Sequence, residues 1–203
     1  MRSKNTSTRE RAPIILIKGE GITESNYLKS FNERNVINIR KATGNKTDPE
    51  GMLDELIEYM QEEAISPRDF GDKVFLLVDV DLSDIQVDHI MKILDKCKKN
   101  DVELITSNPT FEIWFLMYSK KSDLVFKDSK SVKEALKKII KGYTPGNITN
   151  EKDIPGNRKD AINYALSIDA KLGKYKEKIK HNPHCDMYKF FECIEDIKKR
   201  FSK

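Results

Sequence analysis

The sequence predicts an α/β fold, with a mainly parallel sheet flanked by helices and a helical extension at the C-terminus. Two apolar runs, at 14–18 and 73–80, have the composition of strands that are buried on both faces of a sheet. Amphipathic helical patterns separate these runs from the other candidate strands, as in βαβ crossovers. After Ser119 the chain shows helical patterns and no obvious strand.

The first elements follow from short local patterns. IILIK (14–18) is rich in β-branched residues and is followed by the turn sequence GEGIT. ESNYLKSFNE (24–33) has apolar residues at helical spacing, and VINIRKA (36–42) alternates like a strand. MLDELIEYMQEEA (52–64) has an amphipathic helical period, and the Asp-Pro pair at 48–49 resembles a cap with a first-turn proline.

The remaining elements of this half alternate in the same way. KVFLLVDV (73–80) predicts a buried strand, and SDIQVDHIMKILDKCKKN (83–100) predicts a helix with Ser83 as its N-cap. DVELITS (101–107) predicts another strand. NPTFEIWFLMYS (108–119) is strongly apolar, and its opening Asn-Pro predicts a capped helix.

These patterns divide the chain into three parts. We expect a disordered basic arm at 1–12, an α/β core at 13–119, and a basic helical extension at 120–203 that packs on the core. Turn signals separate three helical stretches in the extension, near 130–141, 158–180 and 187–201.

The composition argues against a membrane or secreted protein. No apolar stretch approaches the roughly 18 residues of a bilayer span, and the polar N-terminus lacks the apolar centre of a signal peptide. Cys97, Cys185 and Cys193 have unrelated spacings and do not form a disulfide framework. We therefore expect a cytoplasmic protein with reduced thiols.

The net charge of +4 is unevenly distributed along the chain. Residues 1–119 contain 16 Lys and Arg against 21 Asp and Glu, a balance of −5, whereas residues 120–203 contain 21 against 12, a balance of +9. This asymmetry indicates an acid-rich site beside a surface that attracts polyanions. A lysine-rich helix face that is simply solvated remains the open alternative.

Carboxylates follow three of the predicted strands at the point where each strand ends. They are Glu20 and Glu24, then Asp79, Asp81 and Asp84, and finally Glu112. Because the carboxyl ends of parallel strands share one edge of the sheet, we expect these acids to converge there. Alternation in an extended segment would direct Asp79 and Asp81 to the same side.

A divalent cation would offset the repulsion within such a group. Mg²⁺ prefers oxygen ligands and needs only two or three carboxylates, since it usually keeps several waters. Each motif also has an ordinary structural role, because an Asp-x-Asp after a strand is commonly a turn and a glutamate near a helix start is often a dipole effect. The convergence of three segments favours a metal site.

The same residues resemble a known family. A strand ending in GEGITE, a second ending in DVD, and SNPTFEIWFL after a third are similar to the motifs of the RloB-like family, which is associated with bacterial phage-defence and restriction loci and has a Toprim-type fold. The resemblance covers residues 12–119 strongly. GNRKDAINYA and HNPHCDMYKFFECI, farther on, match its C-terminal helical segments only loosely.

The resemblance implies a Toprim-like metal site that binds Mg²⁺ or Mn²⁺. It implies that Glu20, Asp79, Asp81 and Glu112 are metal ligands, and that these four and Glu24 are the catalytic residues. The chain is too short for a complete topoisomerase or primase, so a nuclease acting on DNA or RNA is the leading implication. Members of such loci often act beside a separately encoded ATPase, which is the other partner that the resemblance implies.

Several readings stay open from the sequence. The first is metal-dependent phosphodiester hydrolysis, with the basic helices, especially KLGKYKEKIK (171–180), holding the nucleic-acid backbone. The second is a regulatory or effector-binding subunit of a defence complex that cleaves nothing itself, beside a partner ATPase. The third is another phosphoryl-transfer enzyme, for instance one that acts on nucleotides.

Two further features have ordinary explanations. Four possible zinc ligands occur near the C-terminus, at His181, His184, Cys185 and Cys193. Their spacing matches no common zinc module, and a cap at Asn-Pro (182–183) followed by a helix explains the motif. Trp114 is predicted to pack in the core rather than to stack on bases.

Overall fold

The computed structural model describes residues 11–119 and 125–201, and a five-stranded sheet lies at its centre. The strands are β1 (Ile14–Lys18), β2 (Asn38–Lys41), β3 (Lys73–Asp79), β4 (Glu103–Asn108) and β5 (His184–Cys185). Their order across the sheet is β2-β1-β3-β4-β5. The first four are parallel, and β5 pairs antiparallel with β4. The α/β fold with a mainly parallel sheet is therefore confirmed.

Helices cover both faces of the sheet. They are α1 (Ile22–Lys29), α2 (Pro49–Glu62), α3 (Pro67–Phe70), α4 (Asp84–Lys99), α5 (Ile113–Met117), α6 (Ser129–Ile139), α7 (Arg158–Lys171), α8 (Tyr175–Lys180) and α9 (Tyr188–Phe201). No helix in the described part of the chain combines the length and the apolar character that crossing a bilayer requires.

Alternation along the strands builds two cores. In β1, Ile15 and Ile17 pack into the core that is formed with α1, α5, α6, α7 and α9. Ile14 and Leu16 point the other way, into the core that is formed with α2 and α4. Because β1 and β3 are buried on both faces, their sequences are continuous apolar runs, which is why they were predictable.

The predicted helix starts at Asp48 and Ser83 are confirmed. Asp48 accepts a hydrogen bond from the backbone N–H of Gly51 at 2.8 Å, and Ser83 accepts one from the N–H of Gln86 at 3.2 Å. Each side chain satisfies a donor that the first turn of a helix leaves without an intrahelical partner.

The predicted helix start at Asn108 is wrong. Asn108 is the last residue of β4, and α5 begins only at Ile113. The Asn108 side chain accepts the backbone N–H of Leu82 at 3.1 Å and donates to three backbone carbonyls between 179 and 181. It therefore ties the turn after β3 to the end of α8 instead of capping a helix.

The second half of the chain also departs from the sequence expectation. It supplies the strand β5, although no strand was expected there, and the predicted helix 158–180 is divided into α7 and α8. The Asn-Pro pair at 182–183 leads into β5 and not into a helix. Because β5 has only two residues and forms against the free edge of β4, it leaves no periodic pattern in the sequence.

The predicted arm lies mostly outside the described residues, as do 120–124 and 202–203. Arg11, at the start of the described chain, donates to the buried Asp72 carboxylate at 2.8 Å.

The extension contacts the core on both faces of the sheet, since Ile179 of α8 packs with α2 and α4 whereas α7 and α9 pack on the opposite side.

Candidate functional site

The sequence-predicted acids lie together at the carboxyl edge of the parallel strands. We call the five of them the acid cluster: Glu20, Glu24, Asp79, Asp81 and Glu112. Glu20 follows β1, and Glu24 is in the first turn of α1. Asp79 is the last residue of β3, and Asp81 comes two residues later. Glu112 lies between β4 and α5. Three segments that are distant in sequence thus meet at one edge, as expected.

Asp79 lies at the electrostatic centre of the acid cluster. Burial raises the pKa of Asp79 well above its usual range, and the charge of Glu24 adds to this effect. The charges of Glu112 and Glu20 act in the same direction, against a hydrogen bond from Thr110. The ionised form of Asp79 is therefore costly without a compensating positive charge.

Glu20 interacts with both aspartates of the DVD motif. Partial desolvation raises the pKa of Glu20 to about 7, and the charges of Asp81 and Glu24 add to the rise. A hydrogen bond between Glu20 and the backbone of Asp79 lowers the pKa of Glu20 and so opposes this rise. Glu20 itself is an exposed residue, so its carboxylate can be reached from solvent.

A threonine hydroxyl is shared between two acids of the cluster. Oγ1 of Thr110 lies 2.8 Å from Oδ2 of Asp79 and 2.7 Å from Oε2 of Glu112. A hydroxyl carries one proton and can donate to only one carboxylate at a time. The hydroxyl therefore bridges the two carboxyl groups and holds them close together.

Glu112 is buried and is held by several donors. Its Oε1 accepts hydrogen bonds from the hydroxyls of Tyr143 at 3.2 Å and Thr23 at 3.4 Å, and Nζ of Lys133 lies 3.8 Å away. With Thr110 on the other oxygen, these contacts fix the orientation of the side chain.

Glu24 is buried against the turn that follows Glu20. Burial raises the pKa of Glu24, and the charge of Glu112 raises it further. A hydrogen bond from the backbone of Glu24 itself acts in the opposite direction. The backbone N–H of Gly21 donates to Oε1 of Glu24 at 3.4 Å. A Cβ atom at Gly21 would lie 2.5 Å from Oε2 of Glu24, so a larger residue at this position would displace the Glu24 carboxylate.

Asp81 reaches the cluster by a different geometry from the one expected. The strand ends at Asp79, and Asp81 has a φ of 52°, so the expected strand alternation between the two aspartates is wrong. Asp81 is exposed, and it accepts a hydrogen bond from the Ser129 hydroxyl at 2.6 Å. Asp84 lies outside the cluster, because its carboxylate pairs with Lys180 at 2.6 Å.

Sequence reasoning missed five residues that contact the cluster. They are Thr23, Thr110, Ser129, Lys133 and Tyr143. The two threonines lie within the motifs GEGITE and NPTFE, so the motifs themselves were a usable signal. The other three come from the second half of the chain, where no local pattern marks them.

The tightest group of potential metal-binding atoms in the described residues lies elsewhere. One ligand atom from each of Asp169, His184 and Asp186 lies within 4.8 Å of the others, and no three acids of the cluster approach one another so closely. Lys178 lies 3.0 Å from Asp169, and Lys189 lies 3.3 Å from Asp186. Since each carboxylate already has a cationic partner, we interpret this group as an internal ion-pair network.

The alternative zinc set does not assemble. His184 faces Asp186, Nδ1 of His181 contacts the Pro183 carbonyl at 2.9 Å, and Sγ of Cys185 contacts the Ser107 hydroxyl at 3.3 Å. Three of the four candidate ligands are thus directed at different partners, and no three of the four have ligand atoms within 4.8 Å of one another.

In the absence of divalent cations, Glu20→Gln is expected to stabilise the protein at about pH 8 and not at about pH 4. The pKa of Glu20 is about 7 in the folded protein and 4.5 without its environment, so stability falls as the pH rises through this window. Glutamine cannot ionise. Because Glu20 is exposed, solvent screening limits the gain to about 1 kcal/mol, or about 2–4 °C in Tm.

The measurement is thermal unfolding in EDTA at both pH values. Glu58→Gln, at an exposed position on α2, is the control and should leave Tm unchanged. Equal shifts in the two variants would contradict the interaction of Glu20 with its acidic neighbours.

Comparison with known proteins gives one match. A family model described as RloB-like protein matches residues 15–194, a range that includes all five acids of the cluster and most of the helical extension. Searches of curated proteins and of solved structures found no match. The match spans far more than half of the sequence, and the chain therefore belongs to the RloB-like protein family.

Proposed function

We propose that this RloB-like chain is a divalent-metal-dependent nuclease that hydrolyses phosphodiester bonds in nucleic acid through a Toprim-type site. The observation that carries the proposal is the meeting of five carboxylates from three chain segments at one edge of the sheet, with the pKa of Asp79, Glu20 and Glu24 raised by burial and mutual repulsion. Strongly perturbed acids in one place are typical of functional sites.

The donor set fits Mg²⁺ or Mn²⁺. All five side chains offer carboxylate oxygens, which are the ligands that these hard cations prefer. Among the described residues, Lys133 is the one cation within ion-pair distance of the cluster. The negative charge of the five acids is therefore largely unbalanced. Lys18, although close in sequence, donates to Glu55 at 2.7 Å and to the Thr43 carbonyl at 2.9 Å instead.

In this proposal Glu20, Asp79, Asp81 and Glu112 hold the cation. When bound, it would polarise the scissile phosphate and lower the pKa of a water molecule. Thr110 fixes the relative position of Asp79 and Glu112 through its shared hydroxyl. Glu24 supports the turn that carries Glu20, and the exposure of Glu20 and Asp81 leaves one side of the cluster open to a substrate.

The test is incubation of the purified full chain with single- and double-stranded DNA and RNA. Cleavage of at least one substrate is expected with Mn²⁺ or Mg²⁺ and not with EDTA. Cleavage that persists in EDTA, or that is absent with both cations for all four substrates, would contradict the proposal.

A second candidate is a non-cleaving regulatory or effector-binding subunit that acts beside a partner ATPase. The observation that favours it is the spread of the acids, since no three of them have ligand atoms within 4.8 Å of one another in the isolated chain. Nucleic-acid binding without cleavage would support this candidate. A role in bacterial phage defence, for either candidate, rests on the family alone.

A further inference from the structure

Helix α6 is attached to the acid cluster at two positions one turn apart. The Ser129 hydroxyl donates to Asp81 at 2.6 Å, and Nζ of Lys133 lies 3.8 Å from Oε1 of Glu112. Val132 and Leu136, each three residues after one of these two positions, are buried in the core beside them. The cluster therefore lies along one margin of the buried side of α6.

Three lysines of α6, and one more in the turn after it, continue from this margin. Lys130, Lys133 and Lys137 are spaced by three and four residues, so they form a row on the helix, and Lys141 lies in the turn just after it; we call these four lysines the α6 stripe. Three of them are exposed and Lys133, next to Glu112, is half-buried. The three helical lysines of the stripe span about 10 Å along the helix axis, which matches the rise of about three phosphates along one strand of a duplex.

The charges of the α6 stripe are largely unused within the protein. Lys130 and Lys141 form no ion pair with any described residue. Lys137 pairs with Glu134 at 3.0 Å on the same helix, and both side chains are about half exposed (51% and 52%), so solvent weakens the pair. The stripe thus keeps most of its capacity to bind an external anion.

The basic segment 171–180, which the sequence favoured as the nucleic-acid contact, is different. Lys176 pairs with Asp88 at 2.8 Å, Lys178 with Asp169 at 3.0 Å, and Lys180 with Asp84 at 2.6 Å. These lysines attach α8 to α4 and α7. Each of the three therefore has an acidic partner on another helix, which Lys130 and Lys141 lack among the described residues, although solvent also weakens the half-exposed pairs of Lys176 and Lys180.

We propose that the α6 stripe binds the phosphate backbone of nucleic acid and directs the strand to the acid cluster. The inference rests on the proposed function, because it assigns the substrate path of that site. Lysine contacts to phosphate are independent of base sequence, so the stripe positions a strand without selecting one. Lys133, the second lysine of the stripe, lies next to Glu112 and joins the path to the cluster.

The test is the triple variant Lys130→Gln, Lys137→Gln and Lys141→Gln in the full chain. Binding to fluorescent single- and double-stranded DNA and RNA is measured in EDTA over a range of salt concentrations. The best-bound nucleic acid should bind about 10- to 100-fold more weakly, and the slope of log K against log salt should fall by about 2 to 3.

The matched control removes the same charge from the other edge of the sheet. Lys73 begins β3, and Lys98 and Lys99 end α4, so these lysines lie away from the carboxyl ends of the strands. All three are exposed. Their replacement by glutamine should change affinity less than about threefold. Equal losses in both triple variants, no loss in the α6 variant, or no binding by the unaltered chain would each overturn the inference.

Cleavage with Mn²⁺ separates this inference from the proposed function. If the α6 variant alone loses binding but the unaltered chain cleaves nothing, the stripe stands and the nuclease proposal fails. If the unaltered chain cleaves and the α6 variant binds and cleaves equally well, the nuclease proposal stands and the stripe is refuted.

Discussion

Asp79→Asn is expected to lower metal-dependent cleavage by at least about 10³-fold, which corresponds to about 4 kcal/mol of transition-state stabilisation. Asp79 is the acid on which the charges of Glu20, Glu24 and Glu112 all act. Asparagine keeps the size of the side chain and can still accept the Thr110 hydrogen bond. The substitution therefore removes one negative charge from the acid cluster with little change in packing.

The same variant should not lose stability without the cation. Because burial and neighbouring acids raise the pKa of Asp79 in the folded protein, its ionised form lowers stability above that pKa, and the neutral amide removes this cost. Thermal unfolding in EDTA at about pH 8 should show a Tm at or above that of the unaltered chain. A large drop in Tm would assign the lost activity to misfolding.

Asp84→Asn is the matched control for Asp79→Asn. Asp84 belongs to the same DVDLSD segment but pairs with Lys180 outside the cluster. Cleavage by this variant should change less than about threefold, since an exposed ion pair contributes little. If the two variants lose activity equally, or if only Asp84→Asn does, the acid cluster is not the catalytic site.

Most of the sheet could be predicted because buried parallel strands leave a local signal. β1 and β3 are covered on both faces, so each is a continuous apolar run in the sequence. The end of β4 could not be predicted in this way. Asn108 before a proline is a good helix start by local rules, but its side chain is bound by distant backbone groups at Leu82 and at 179–181.

The acids of the candidate site could be predicted from strand order, but their surroundings could not. Three strand ends carry the acids, and parallel pairing brings those ends together. Ser129, Lys133 and Tyr143 reach the same edge only because the second half of the chain folds back over the core. Such contacts depend on tertiary packing, which no periodicity in the sequence encodes.

Asp186→Ala is expected to have the largest effect on stability, about 3–5 kcal/mol. Asp186 is 1% exposed. Its Oδ2 accepts the Thr106 hydroxyl at 3.0 Å and lies 3.3 Å from Nζ of Lys189, and its Oδ1 lies 3.4 Å from Nε2 of His184. Alanine would leave the buried Thr106 and His184 and the partly buried Lys189 without their shared partner.

The pH dependence of this contribution follows from the pKa of Asp186. Burial raises that pKa, but the hydrogen bond and charge of His184, with Lys189 and Thr106, outweigh burial and hold it at about 2. A lowered pKa stabilises the folded state above the ordinary value of 3.8, and the contribution is lost as the pH falls through about 2. Urea unfolding at about pH 7 therefore measures the full effect.

Asp196→Ala is the control for Asp186→Ala, because Asp196 is exposed on α9 and pairs only with the nearby Lys199 among the described residues. Its loss should cost less than about 1 kcal/mol. A cost for Asp186→Ala as small as that would refute the role of the network.

The two kinds of acid should thus respond in opposite directions: neutralising Asp79 in the acid cluster relieves repulsion, whereas removing Asp186 breaks buried attractions. The sign of the stability change therefore distinguishes an acid surrounded by like charges from an acid that has cationic and hydrogen-bonding partners.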